Sequence, residues 1–113
     1  MNKRIAIPVE NEMLCLHFGH CEYFYIAEVN DHEILEETKV IPPAHEPGLY
    51  PAWVAEKGVT LVIAGGMGEK AKELFRKENI ELRIGAITKS PKELILDYLE
   101  GTLSSGANAC THK

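Results

Sequence analysis

Thr60-Leu61-Val62-Ile63-Ala64 runs straight into Gly65-Gly66-Met67-Gly68. A short run that is apolar almost throughout, bounded by glycines, suits a central parallel strand covered on both faces. The glycine turn leads into a helix. Met67, Ala71, Leu74 and Phe75 recur at helical spacing, with Glu73 and Lys77 paired on the outer side. Strand, tight turn and helix in that order are one half of a crossover unit.

Working outward, Pro51 sits where a first helical turn tolerates proline, and Ala52, Trp53 and Ala55 continue a short helix that Gly58 stops. Downstream, Ile80 to Ile87 predicts a strand. Ser90-Pro91-Lys92-Glu93 is a capping box with proline at the first helical position, and the helix it opens runs to about Glu100, where Gly101 ends it. Toward the N-terminus, Ile5-Ala6-Ile7-Pro8-Val9 predicts a strand, followed by a loop from about Glu10 to Glu22. Tyr23 to Val29 and Ile34 to Ile41 alternate around Asn30-Asp31-His32-Glu33, the pattern of an antiparallel hairpin. Pro42-Pro43 ends the second arm.

A hairpin feeding crossover units predicts an α/β fold. Its mixed five-stranded sheet has an antiparallel second strand and helices on both faces. The strand at Ile5 should lie beside the strand at Leu61. Chain connections leave those two strands toward opposite edges, which makes a topological switch point. Ligands of open α/β sheets favour the crevice beyond the carboxyl ends of such strands.

The chain has 113 residues, which suits one domain over 1–113, and its small, polar end from 102 to 113 reads as a flexible tail. The net charge is −5 and no Lys/Arg run exceeds two residues, so a nucleic-acid footprint is not expected. No apolar stretch approaches membrane-spanning length and the first residues carry no secretory pattern, so a cytoplasmic location is expected. Three cysteines in a reducing compartment read as free thiols or ligands.

Two segments should meet at the crevice. Cys15-Leu16-His17-Phe18-Gly19-His20-Cys21 offers thiolate and imidazole, the soft and borderline donors that iron, copper, zinc and sulfide clusters accept. Gly65-Gly66-Met67-Gly68 exposes backbone N–H groups at a helix N-terminus, where anions are stabilised. A polyanionic metal–sulfur cluster needs both kinds of partner. Cys110-Thr111-His112 in the tail and His45 in the loop before Gly48 are further candidates.

Each feature also has a plainer reading. Cys15 is equally a small buried hydrophobe. His17, on a loop beside a glycine, favours function over a core role. His20 and Cys21 border the hairpin and read either way. His32 at the hairpin turn reads as solvated. The glycines of the turn are also what close helix–strand packing would select, and Met67 also reads as the first core residue of its helix. Cys-x-His-x-x-His-Cys matches no standard zinc spacing.

Together these pieces resemble the dinitrogenase iron-molybdenum cofactor biosynthesis family over nearly the whole chain. The resemblance is carried by His17-Phe18-Gly19, by Pro47-Gly48 with Pro51 and Trp53, and by Gly58-Val59 through Val62-Ile63-Ala64-Gly65-Gly66-Met67-Gly68. Gly106 through Asn108 with Cys110 and His112 completes it. It implies a ribonuclease-H-like three-layer α/β fold. It also implies a carrier, not an enzyme, for an iron–sulfur, iron–molybdenum or related molybdenum sulfide cluster. His17 matches the family histidine implicated in cluster binding, with Phe18 and Gly19 beside it, and Gly65, Gly66, Met67 and Gly68 match the glycine-rich turn. Cys15, His20 and Cys21 fall where the family varies, so they inherit no role. As metal donors the residues themselves offer His17, Cys15, Cys21, Cys110 and His112. A cluster donor or acceptor protein is the expected partner, and purified protein need not retain the cluster. The oligomeric state is not legible.

Two other functions are weighed against this one. A nuclease or phosphodiesterase on the same scaffold needs converging carboxylates around divalent metals. The first strand has none before Glu10 and the strand at Leu61 has none, leaving Glu28 as the suitable partner. A zinc-binding interaction module would draw on Cys110, His112 and other thiols.

Overall fold

β1 (Lys3–Glu10) forms the middle of an open mixed sheet. The computed structural model describes residues 3–14, 22–41, 50–86 and 89–101. On one side β1 pairs antiparallel with β3 (Tyr23–Val29), which pairs antiparallel with β4 (Ile34–Val40). On the other it pairs parallel with β5 (Leu61–Ala64), which pairs parallel with β6 (Glu81–Ile84). The order is β4-β3-β1-β5-β6, with a two-residue β2 (Met13–Leu14) folded back on the end of β1. The expected neighbours, the strand at Ile5 and the strand at Leu61, are adjacent and parallel.

The expected count was five strands; among the described residues there are six. The addition is β2, within the segment expected to be loop. Asn11 and Glu12 both take positive φ, 54° and 63°, between the paired residues Glu10 and Met13. That is the backbone of a two-residue hairpin turn with both central residues left-handed. Asn-Gly would have announced it; Asn-Glu does not. The strand expected over Ile80 to Ile87 is shorter, Glu81–Ile84, because Gly85 turns to φ 86°. Ile80 belongs instead to the turn after the second helix, where its N–H donates to the Phe75 carbonyl at 3.1 Å.

Three helices complete the described chain: α1 (Tyr50–Glu56), α2 (Glu69–Lys77) and α3 (Pro91–Glu100). Ser90 caps α3 as expected, but the return bond of the box comes from its hydroxyl and not from its backbone N–H. Ser90 Oγ accepts from the Glu93 N–H at 3.4 Å and donates to Glu93 Oε1 at 2.9 Å, and Gly101 closes α3 at φ 78°. Gly58 at φ 79° stops α1.

Alternation along the strands sorts two cores onto two faces. Ile5, Ile7, Val9, Leu61 and Ile63 point toward Leu94 and Ile95 of α3. Ala6, Phe24, Ile26, Val62 and Ala64 point toward Val54 of α1 and Phe75 of α2. Each large, fully buried side chain contributes roughly 1.5–3 kcal/mol relative to exposure. Phe24 also meets the Trp53 ring, centroids 5.4 Å apart. Helices therefore cover both faces, and the carboxyl ends of β1 and β5 are left between them. No helix among the described residues is long and apolar enough to cross a membrane.

Candidate functional site

From the end of β1 the chain turns to β2 and then β3; from the end of β5 it turns the other way, through α2 to β6. Strands that part in this way leave a crevice between them. Here the parting begins inside the sheet. The paired residues of β1 and β5 stop at Ala6 and Val62, although β5 continues to Ala64 and stays paired with β6 as far as Ala64–Ile84.

Beyond that last rung the edge of β1 that faces β5 is taken by β2, since β3 holds the other edge as far as Val9. Successive residues of a strand present their backbone to alternate sides. The Arg4 carbonyl accepts from Thr60 N–H at 2.9 Å, on the β5 side, and the Val9 carbonyl accepts from Glu22 N–H at 2.8 Å, on the other. Even-numbered residues of β1 therefore address β5. The next of these is buried Pro8, which has no N–H to give.

One wall of the crevice is the glycine turn. Gly65 to Met67 are buried and Gly68 is exposed. The Gly65 carbonyl accepts from Gly85 N–H at 3.2 Å and the Ala64 carbonyl from Ala86 N–H at 3.3 Å, which fixes the turn against the end of β6. Met67 is 1 % exposed and packs in the core under α1 and α2, so the plainer reading of this residue holds. Gly68 caps α2 with φ −71°, ψ 159° and without a side-chain cap bond. A Cβ placed there meets nothing within 4 Å. Close packing therefore does not explain this glycine; open space lies beside it. In the first turn of α2, Lys72 Nζ donates to Glu69 Oε1 at 3.0 Å, and that bond holds the Glu69 carboxyl below the usual carboxylate range.

The other wall begins at the β1–β2 turn. Asn11 N–H donates to Glu22 Oε1 at 2.8 Å, Glu22 N–H donates to the Val9 carbonyl, and Leu14 N–H donates to the Lys89 carbonyl at 2.9 Å. Both flanks of residues 15–21 are thus tied down at the carboxyl end of β1, the end where β5 meets its glycine turn. Lys89 itself turns to Asp97, 2.7 Å away, whose bond raises the lysine pKa.

Cys15, His17, Phe18, Gly19, His20 and Cys21 lie outside the described residues, as do His45, Cys110 and His112. Of the expected site, the structure describes Gly65, Gly66, Met67 and Gly68. His32 is exposed at the hairpin turn, where Asn30 Oδ1 accepts from the N–H groups of His32 and Glu33, as its solvated reading expected. Among the described residues no three His, Cys, Asp or Glu side chains gather as around a metal ion. Glu28, the carboxylate a nuclease would need, stands opposite Arg4 and contacts its guanidinium at 3.3 Å, at the amino-terminal half of β1 and away from the crevice. Two features of the site were missed in the sequence: β2 on the edge of β1 that faces β5, and the β2–Lys89 tie.

An open α/β sheet whose central parallel pair parts over a glycine turn defines a class of ligand-binding folds. The family model for dinitrogenase iron-molybdenum cofactor matches residues 1–101, and the chain belongs to that family. An uncharacterized protein of Methanocaldococcus jannaschii is 33 % identical, the match covering 88 % of each chain. The fold is shared with a crystal structure of a second Methanocaldococcus jannaschii protein, provisionally described as a dinitrogenase. It is 21 % identical, covers 96 % of this chain and 98 % of its own, and has a TM-score of 0.76. It is shared too with the apo orange protein of Desulfovibrio gigas, 17 % identical over 94 % of each chain, TM-score 0.77.

Proposed function

We propose that this protein carries a metal–sulfur cluster, of iron–sulfur, iron–molybdenum or related molybdenum sulfide type, in the crevice at the carboxyl ends of β1 and β5. The cluster is cargo, and the protein binds it without catalysing a reaction. The observation that supports this most is the end of the sheet where β1 and β5 part around β2, which brings together the glycine turn and both anchored flanks of residues 15–21. Membership of the cofactor family gives the ligand its chemical class.

In this reading His17 is the leading ligand, with Phe18 and Gly19 beside it, and Cys15, Cys21, Cys110 and His112 supply further soft donors. The N–H groups of Gly65 to Gly68 face the cluster's sulfides, and the α2 dipole adds to their pull on negative charge. Gly68 matters because nothing stands between its backbone and the open space. The sheet order, an antiparallel three-strand half joined to a parallel pair, supports a ribonuclease-H-like scaffold. A cytoplasmic carrier of one domain, exchanging cargo with a donor or acceptor protein, completes the proposal.

Anaerobic reconstitution with iron and sulfide, or with tetrathiomolybdate, is expected to give a visible charge-transfer band that His17→Ala weakens. An unchanged band and unchanged affinity in that variant would remove His17 from the site.

A further inference from the structure

We propose that β4 is a dimerisation edge: two copies of this chain join their sheets antiparallel along it, with Thr38 on the twofold axis. The crevice takes no part, so this inference and the cargo reading stand or fall separately.

The sheet has two edges, β4 and β6. β6 is four residues long, and its Arg83 and Glu81 are paired with each other. β4 is seven residues long, and among the described residues no strand lies beyond it. The two sides of its backbone follow from the registers. Even-numbered residues of β1 address β5, so odd-numbered ones address β3. The pairs Ile5–Ala27 and Ile7–Tyr25 then turn odd-numbered residues of β3 toward β1 and even-numbered ones toward β4. Through Phe24–Val40 and Ile26–Thr38, the residues Thr38 and Val40 address β3, while Glu37 and Lys39 turn their N–H and C=O groups outward. A row of outward donors and acceptors is a template for another strand.

The side chains decide which strand. In a twofold antiparallel seam one residue faces its own copy, and the rest pair in equal steps on either side of it. With Glu36, Glu37 or Lys39 on the axis, like charges face each other, which is destabilising. With Val40 there, the seam runs off the end of the strand. With Thr38 on the axis, Glu37 of each copy faces Lys39 of the other, and Glu36 faces Val40. Both members of the Glu37–Lys39 pair are the outward-facing residues, so each such pair can exchange both of its backbone hydrogen bonds. Their side chains share one face of the sheet. The Tyr25 hydroxyl donates to Glu37, and Lys39 Nζ lies 5.2 Å from the centre of the Tyr23 ring.

The ends of the seam fit as well. Leu35 and Ile41 are large hydrophobics left 46 % and 80 % exposed, and they stand at equal steps from Thr38 on its two sides. The same register brings Leu35 of one copy beside Ile41 of the other, at both ends. The irregularity in the β3–β4 pairing falls beside Leu35, outside the stretch from Glu36 to Val40. A foreign strand would have to carry the reverse order of charged and apolar residues; a second copy of this chain supplies it by symmetry.

Sedimentation velocity over about 10 µM to about 1 mM brackets a modest affinity. The expected result is a mass that climbs from monomer to dimer. Over the same range the amides of Glu37 and Lys39 should gain protection from hydrogen exchange, while those of Thr38 and Val40 are protected throughout. Lys39→Glu sets glutamate against glutamate in both pairs and should weaken the dimer by about tenfold or more, and adding Glu37→Lys should restore it. A monomer at every concentration, with the outward amides exchanging freely, overturns the inference and leaves the edge to solvent or to another protein's strand. A dimer in which those amides stay unprotected overturns it too, because the copies then meet elsewhere. A dimer that Lys39→Glu leaves as tight, or that the double exchange does not restore, overturns the register centred on Thr38. The exchange measurement uses the unaltered protein and decides the matter even where a variant does not fold.

Discussion

Gly68→Ala separates the two readings of the glycine turn. Its backbone sits at φ −71°, ψ 159°, a region open to any L-residue, and the added Cβ meets nothing within 4 Å. Folding therefore has little reason to prefer glycine. Removing a glycine from the unfolded chain stabilises by about 0.4–1 kcal/mol. At a helix N-cap, alanine is worse than glycine by roughly 0.5–1 kcal/mol. The two terms oppose each other and cancel to within about 0.5 kcal/mol, or a shift of about 2–4 °C in midpoint for a domain of this size. The methyl group, however, projects into the open space beside the turn. If cargo approaches the Gly68 backbone there, affinity for tetrathiomolybdate should drop by about tenfold or more, a loss of about 1.4 kcal/mol. Thermal and urea unfolding measure the first quantity, and an anaerobic absorbance titration measures the second. A destabilisation above about 2 kcal/mol would mean the glycine serves packing after all. Unchanged stability with unchanged affinity would mean the cargo does not come near this backbone.

Two further outcomes follow from bonds away from the crevice. Ser90→Ala removes the α3 cap and should lower the urea midpoint by an amount worth about 1 kcal/mol, with Ser90→Thr restoring most of it. The buried Tyr25 hydroxyl donates to Glu37, and burial first, then that bond, raises its pKa above the ordinary 10.0. A group whose folded pKa is raised contributes fully below its unfolded value, so stability should hold to about pH 10 and fall as pH climbs further. Urea unfolding between about pH 9 and pH 11 should show that decline, and Tyr25→Phe should flatten it.

Much of the architecture was legible because each signal acts locally. The run Leu61 to Ala64 is apolar on both sides, and both sides are covered. The Ser90 hydroxyl meets both the backbone N–H and the carboxylate of Glu93 within one helical turn, whatever else surrounds them. The hairpin turn is set by the Asn30 side chain bonding two residues and three residues ahead. The failures were of a different kind. β2 depends on left-handed backbone at Asn11 and Glu12, and glutamate carries no preference for it. What holds it there is distant: the Leu14 bond to Lys89 and the Glu22 carboxylate on Asn11. Of the two segments expected to form the site, the one at 15–21 lies outside the described residues, and the sequence did not show that β2 takes the edge of β1 that faces β5. Periodicity gives the face of a side chain; it says nothing about which neighbour receives the backbone until the strand order is known.

The two ends of β1 differ in a way that bears on where a polyanionic ligand could settle. At the amino-terminal end the described cations already have partners. Arg4 meets Glu28 and donates to the Lys57 carbonyl at 3.0 Å, Lys3 donates to the Tyr98 hydroxyl at 2.8 Å, and Arg83 meets Glu81 at 3.1 Å. Lys3 and Arg83 also both lie against the Tyr98 ring, so the cleft they line with Asp31 is crowded with charges of both signs. A polyanion entering it would have to displace bonds already made. At the carboxyl-terminal end the described wall is glycine backbone, and in the first turn of α2 Glu69 and Lys72 are paired with each other. Of that turn, the Gly68 backbone is the exposed part. On the proposed reading, the asymmetry favours the glycine-turn end of the sheet for a polyanionic cargo, because fewer bonds between charged groups would have to be broken there.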